Sequence, residues 1–153
     1  MKAVQLREAV PADAPALLRI EEQCFVTDRI KPRQMRYLLT RARALNLVAD
    51  SDARAVAYLS CLTPVRTDRP ARLYSLAVAP DFRRRGLAFA LLERLVDDLC
   101  ERGYRRLRLE VRVGDRRTQA LYQRFGFREL SRIEAYYEDG EAALRMGTTL
   151  PAR

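Results

Sequence analysis

No histidine occurs anywhere in the 153 residues. That absence excludes Ser–His–Asp and Cys–His nucleophilic pairs, and any zinc site built on imidazole. Cysteine is scarce as well. Cys24, Cys61 and Cys100 are odd in number and far apart, so neither a disulfide framework nor a CxxC redox or metal motif is available. They read as small buried apolar residues in a reducing compartment, and no metal is expected. Long hydrophobic runs are missing too. The most apolar stretch, Leu87 to Val96, is broken by Glu93 and Arg94 and falls well short of the ~20 residues that span a bilayer. Near the start, Arg7 and Glu8 stand where a secretory leader needs its apolar segment. A cytoplasmic protein with no membrane partner is expected.

Lysine is nearly absent: apart from Lys2 and Lys31, all of the 29 basic side chains are arginine. Set against 20 acidic residues they leave a net charge of +9, which raises the question of nucleic acid. The excess is spread evenly, +4 over residues 1–70 and +5 over residues 71–153. There is no basic tail and no interleaving of basic and aromatic residues, so nucleic acid is not the expected partner. What remains is a field that favours anionic ligands, polyphosphates among them.

What is present is enough for one domain. A chain of this length matches a single folding unit, and about two-thirds of its unfolded surface can be buried without staples. Val4–Glu8 alternates apolar and polar residues as a strand does. Pro11 to Pro15 opens a helix whose apolar face is Leu17, Leu18, Ile20 and Cys24, and Pro32 begins a second helix running to about Arg43. Leu45–Ala49 and Arg54–Pro64 form a hairpin around Asp50-Ser51-Asp52. Arg72–Val78 is a further strand. The period then changes, with Leu87, Leu91, Leu92, Leu95, Val96 and Leu99 on helical spacing before Gly103. Leu107–Val113 alternates strictly, Asp115–Phe125 is a short helix, and two strands around Glu138-Asp139-Gly140 finish the chain. The order β-α-α-β-β-β-α-β-α-β-β predicts an α/β fold: a mixed sheet with helices on its faces.

Two places can carry chemistry. In the first, a strand runs through Arg83-Arg84-Arg85-Gly86 straight into a helix at Leu87-Ala88-Phe89. The amides of a first helical turn have no intrahelical partner and sit at the positive end of the dipole, which suits a pyrophosphate. Gly86 permits close approach. The loop is neither the Walker nor the GxGxxG pattern, and an exposed arginine turn would look the same. In the second, Glu110 lies on the polar face of an alternating strand and Tyr122 on the helix after it. A carboxylate can take a proton from an amine, and a phenol can give one to a leaving thiolate. Equally, Glu110 could pair with Arg108 or Arg112, and Tyr122 could pack with Leu121 and Phe125.

The stretch from Leu73 to Leu130 resembles the GNAT superfamily of acetyl-CoA-dependent N-acetyltransferases. Its loop signature, [QR]-x-x-G-x-[GA], is met by Arg83-Arg-Arg-Gly86-Leu-Ala88, and N-x-x-A-x-x-LY-x-x-x-GF is approached from Asp115 through Leu121-Tyr122 to Gly126-Phe127. Within the superfamily the chain is most similar to RimI-type enzymes, which acetylate protein N-termini, through Leu109-Glu-Val-Arg112, Leu121-Tyr122 and Tyr136-Tyr-Glu-Asp-Gly140. The resemblance implies one GNAT domain over residues 1–153 with a splayed central pair of strands. It implies direct acetyl transfer from acetyl-CoA, with Glu110 as general base and Tyr122 as general acid. Leu76, Ala77 and Val78 would bind the pantetheine arm, an amide near Ala77 would polarise the thioester, and Arg83 to Phe89 would wrap the pyrophosphate. Asp115 replaces the family's asparagine and Thr118 its alanine, which puts the Asp115 cofactor contact in question. Phe25 and Asp28, with Tyr136, Tyr137 and Glu138, are candidates for the two walls of an acceptor groove. The acceptor is expected to be the α-amine of a protein, with a small amine such as a polyamine or amino sugar as the alternative, and the protein a monomer or homodimer.

Overall fold

A computed structural model describes residues 3–151. Seven strands form one mixed sheet: β1 (Val4–Glu8), β2 (Ala44–Ser51), β3 (Arg54–Leu62), β4 (Ala71–Val78), β5 (Arg106–Arg112), β6 (Arg128–Ile133) and β7 (Ala143–Thr149). Among the described residues four α-helices accompany them: α1 (Ala14–Cys24), α2 (Pro32–Thr40), α3 (Leu87–Glu101) and α4 (Arg116–Phe125). The sheet order is β1-β2-β3-β4-β5-β7-β6, with β4 and β5 its parallel pair and α3 the crossover between them. The expected order of elements is therefore the observed one, and the boundaries shift by a few residues. The β2–β3 turn is Asp52–Ala53 rather than Asp50–Asp52. Both turn residues lie at positive φ, 52° and 60°, and a two-residue turn of that hand matches the twist of the strands it joins.

Two apolar layers sandwich the sheet. On one face α3 buries Leu87, Leu91, Leu92, Leu95 and Leu99 against Leu47, Leu59, Leu73, Leu107 and Leu109. On the other face α1 and α2 bury Leu17, Ile20, Met35 and Leu38 against Val48, Tyr58 and Ala77. The period of two in each strand divides its side chains between these layers. In β5, Leu107, Leu109 and Val111 join the α3 layer, so Arg108, Glu110 and Arg112 emerge on the α1–α2 face. Among the described residues, no helix is long and apolar enough to cross a membrane.

Candidate active site

The parallel pair barely holds together. β4 and β5 share only the positions Ala71–Leu107 and Arg72–Arg108, after which they part. A bulge in β4 accompanies the split: Ser60 faces Ser75 but Cys61 faces Leu73, leaving Tyr74 as the extra residue. Bulges of this kind bend a strand and increase its twist. From Leu73 onward β4 thus pairs with β3 alone, and its other edge is open. The Ala79 amide bonds to Val56 on β3, and backbone groups alternate between the two edges of a strand. Ala77, opposite Tyr58, therefore turns its amide toward β3. Leu76 and Val78 face the open edge, and the Val78 carbonyl there accepts from Arg83 Nε at 3.1 Å and Cys24 Sγ at 3.3 Å. The polarising amide expected near Ala77 consequently does not belong to Ala77 itself.

The arginine loop lies beyond the end of β4. Arg84 and Gly86 both have positive φ, 64° and 76°, and Gly86 caps α3 with no side chain bonded to the first-turn amides. A Cβ on Gly86 would meet nothing within 4 Å, so its need for glycine is conformational. The side chains of this loop do not converge. Arg83 folds back on Val78, Arg85 lies over the Phe82 ring at 5.0 Å, Leu87 is buried in the core, and Phe89 packs edge-on to Phe125 at 4.8 Å. What the turn offers a ligand is its backbone together with the nearby positive charge.

Inside the fork lies a cavity of about 930 Å³. Leu76, Glu110, Asp115 and Tyr122 all line it, as do Phe25, Asp28, Tyr136, Tyr137 and Glu138; Ala77, Val78 and the loop Arg83–Phe89 do not. Glu110 is nearly buried, its side chain 4% exposed. One carboxylate oxygen accepts from Arg72 Nε at 2.7 Å and the other from Arg145 Nε at 3.1 Å, with the Tyr136 hydroxyl 3.5 Å away. These partners are not the Arg108 and Arg112 that the strand sequence suggests. Residues two apart on one strand are separated along it, whereas Arg145 stands directly opposite Glu110 on β7. Tyr122 is buried against Phe127, with ring centroids 5.5 Å apart. Burial, helped by the negative charge of Asp115, pushes its hydroxyl well above the ordinary phenol range. It stays protonated at neutral pH, so it can act there as an acid and not as a base.

Arg112 draws the two acceptor walls together. Nη1 bonds Asp139 and Glu141, each at 2.9 Å, while Nη2 bonds Thr27 at 2.6 Å and Asp28 at 3.0 Å. The Tyr137 ring lies 4.1 Å from the same guanidinium, and burial raises the Tyr137 hydroxyl to about 12. Asp28 also accepts the Glu138 amide. Its carboxylate is thus engaged in holding the wall together. Asp115 likewise acts locally, capping α4 by accepting the Thr118 amide at 3.2 Å. Glu21, absent from the sequence reading, is 1% exposed and lines the cavity floor. It accepts the Ile30 amide at 2.8 Å and the Ser75 hydroxyl at 3.2 Å, and burial raises its pKa. Arg72 and Arg145 were also missed. Only the strand pairing reveals either, because each meets Glu110 across a neighbouring strand.

Three comparisons bear on this arrangement. The family described as "Acetyltransferase (GNAT) family" matches residues 14–127. A [ribosomal protein bS18]-alanine N-acetyltransferase from Salmonella typhimurium is 44% identical over 95 residues, 62% of this chain and 62% of that protein. The matched stretch thus spans about three-fifths of that relative's length. An N-alpha-acetyltransferase from Saccharolobus solfataricus is 34% identical over 83 residues, 54% of this chain and 50% of that one. Among solved structures, the ribosomal-protein-S18-alanine N-acetyltransferase from Escherichia coli superposes with a TM-score of 0.89 at 29% identity, covering 99% of this chain and 96% of the other.

Proposed function

Because the chain belongs to the GNAT acetyltransferase family, we propose that it transfers the acetyl group of acetyl-CoA directly to a primary amine, the N-terminal α-amine of a protein. The observation that carries the reading is the parting of β4 from β5 beside a cavity that both Glu110 and Tyr122 line. The amide-rich pantetheine arm adds to the open edge of β4 like a further strand, bonding the outward backbone groups of Leu76 and Val78. The Val78 carbonyl exchanges its Arg83 and Cys24 partners for the ligand. Gly86 to Phe89 present first-turn amides to the pyrophosphate, with Arg84 and Arg85 supplying charge. A thioester entering from that end of β4 points toward Arg72 and Glu110 at the apex of the fork.

Attack requires a neutral amine. An α-amine, with a pKa of roughly 8, is partly neutral at pH 7, whereas a lysine amine near roughly 10.4 hardly is. Two guanidiniums beside Glu110 further disfavour a cation at the reacting nitrogen. Glu110 takes the amine proton through a water molecule as the carbon–nitrogen bond forms. An outward amide of β4, that of Leu76 in place of Ala77, holds the tetrahedral oxygen. The carbon–sulfur bond then breaks and Tyr122 protonates the departing thiolate; Tyr122 regains a proton from solvent as Glu110 releases its own to solvent. Phe25, Tyr136, Tyr137 and the carboxylate of Glu138 contact the acceptor, and Asp28 holds their loops in place. Residues 1–153 act as one such domain in the cytoplasm.

The test follows thiol release from acetyl-CoA with short peptides, polyamines and amino sugars. Activity on peptides with a free N-terminus, abolished when that terminus is blocked, is the expected result. Thiol release only with polyamines or amino sugars, or with nothing, refutes the proposal.

A further inference from the structure

The cavity holds a charged group that the transfer chemistry above uses only as a neighbour of Glu110. Arg72 is the last residue of β4 still paired with β5, so its side chain stands where the fork opens. Its Nε donates to Glu110 at 2.7 Å, its Nη2 reaches the Tyr136 hydroxyl at 2.7 Å, and its guanidinium lies 5.6 Å from the centre of the Tyr74 ring. These contacts fix the planar group from three sides. Nη1, by contrast, bonds to no described residue, and Arg72 lines the cavity with its side chain 31% exposed. The apex of the fork therefore presents an acceptor, Glu110, and a free donor, Arg72, side by side on one wall.

That pairing has a chemical complement. In an α-amine of a peptide or amino acid, the nitrogen and a carbonyl or carboxylate oxygen are separated by only two carbon atoms. With the amine toward Glu110, the oxygen falls toward the unpartnered N–H groups of Arg72. A polyamine offers nothing to Arg72 except a second cation, and like charges at close range are rejected. We propose that Arg72 recognises the carbonyl or carboxylate oxygen next to the reacting amine, so that it selects α-amines and excludes polyamines. This inference rests on the acetyl-transfer reading and names the acceptor class of the same site.

The experiment compares the parent with Arg72→Met and Arg72→Lys on three acceptors: a tripeptide with a free N-terminus, the corresponding free amino acid, and spermidine. Acetyl-CoA affinity is followed in parallel by calorimetry. Loss of a charge-assisted hydrogen bond predicts that Arg72→Met raises the KM for the preferred α-amine about 10–100-fold. The kcat falls less, and the acetyl-CoA Kd changes far less than the acceptor KM. The selectivity for that α-amine over spermidine drops at least about tenfold, and Arg72→Lys recovers part of it. Whichever of peptide and amino acid the parent prefers identifies the oxygen as carbonyl or carboxylate. If all acceptors lose activity in the same proportion, Arg72 serves only to hold Glu110, and the inference fails. An unchanged KM overturns it too. If Arg72→Met no longer binds acetyl-CoA, Arg72→Lys decides by the same criteria. A parent that releases no thiol with any acceptor overturns the transfer reading itself and this inference with it.

Discussion

Replacing Glu110 by glutamine separates the two tasks that this carboxylate combines. The side chain is 4% exposed and each oxygen accepts from a different arginine. Glutamine keeps one acceptor, but its amide nitrogen then faces a guanidinium, donor against donor. A fully buried ion pair broken in this way costs about 3–5 kcal/mol. Here the guanidinium side chains are 31% and 33% exposed, so water compensates part of the loss, and about 1–3 kcal/mol is expected. For a chain of this size that lowers Tm by about 2–12 °C. Catalysis is hit harder, because general-base assistance is worth about 100–10,000-fold. Thermal melts, thiol-release kinetics and acetyl-CoA calorimetry on the one variant measure all three quantities. Arg145→Met is the control: it breaks one of the two ion pairs while leaving the carboxylate, so it should cost comparable stability and far less turnover. If both variants lose turnover equally, Glu110 is a structural member of a charge cluster. If Glu110→Gln retains turnover within twofold at every pH, it is not the base.

Three further outcomes follow from the same geometry. Gly86→Val forces a β-branched residue to φ 76°, and the resulting shift of the turn should weaken acetyl-CoA binding at least about tenfold, a loss of roughly 1.4 kcal/mol; unchanged calorimetry removes the loop from its role. Tyr122→Phe keeps the ring packing on Phe127 and removes only the hydroxyl, so kcat should fall about 100-fold or more with the fold intact, and wild-type turnover would leave the thiolate to solvent. Glu21 has a pKa raised in the folded state, so the folded chain binds that proton more tightly than the unfolded one. Its burial favours folding below the ordinary glutamate value and costs stability as pH rises from there through the raised value. Denaturant melts of Glu21→Gln should gain on the parent across that window, and a pH-independent difference between the two would refute the assignment.

Much of the molecule was legible in the amino-acid order. Strict alternation over Leu107–Val113 and helical spacing over Leu87–Leu99 each record which face meets the core, and that information is local. The arginine–glycine loop and the Leu121-Tyr122 pair likewise announce themselves within a few residues. The turn at Asp52–Ala53 was misplaced because non-glycine residues take positive φ there, and composition gives no warning of that. Glu21 went unseen for a related reason. A glutamate on a helix reads as surface, and only the approach of Ile30 and Ser75 makes it a buried acceptor.

The chemistry itself divides along the same line. Which residues carry a carboxylate, a phenol or a glycine at a helix start is written in the chain, and periodicity places each on its strand or helix. Which of them meet is a matter of strand order and register. Glu110 finds Arg72 and Arg145 because β5 lies between β4 and β7, and β4 exposes Leu76 and Val78 because it diverges from β5 after two residue pairs. Those contacts join positions 35 and 38 apart in sequence, a separation across which no local pattern of side chains carries information.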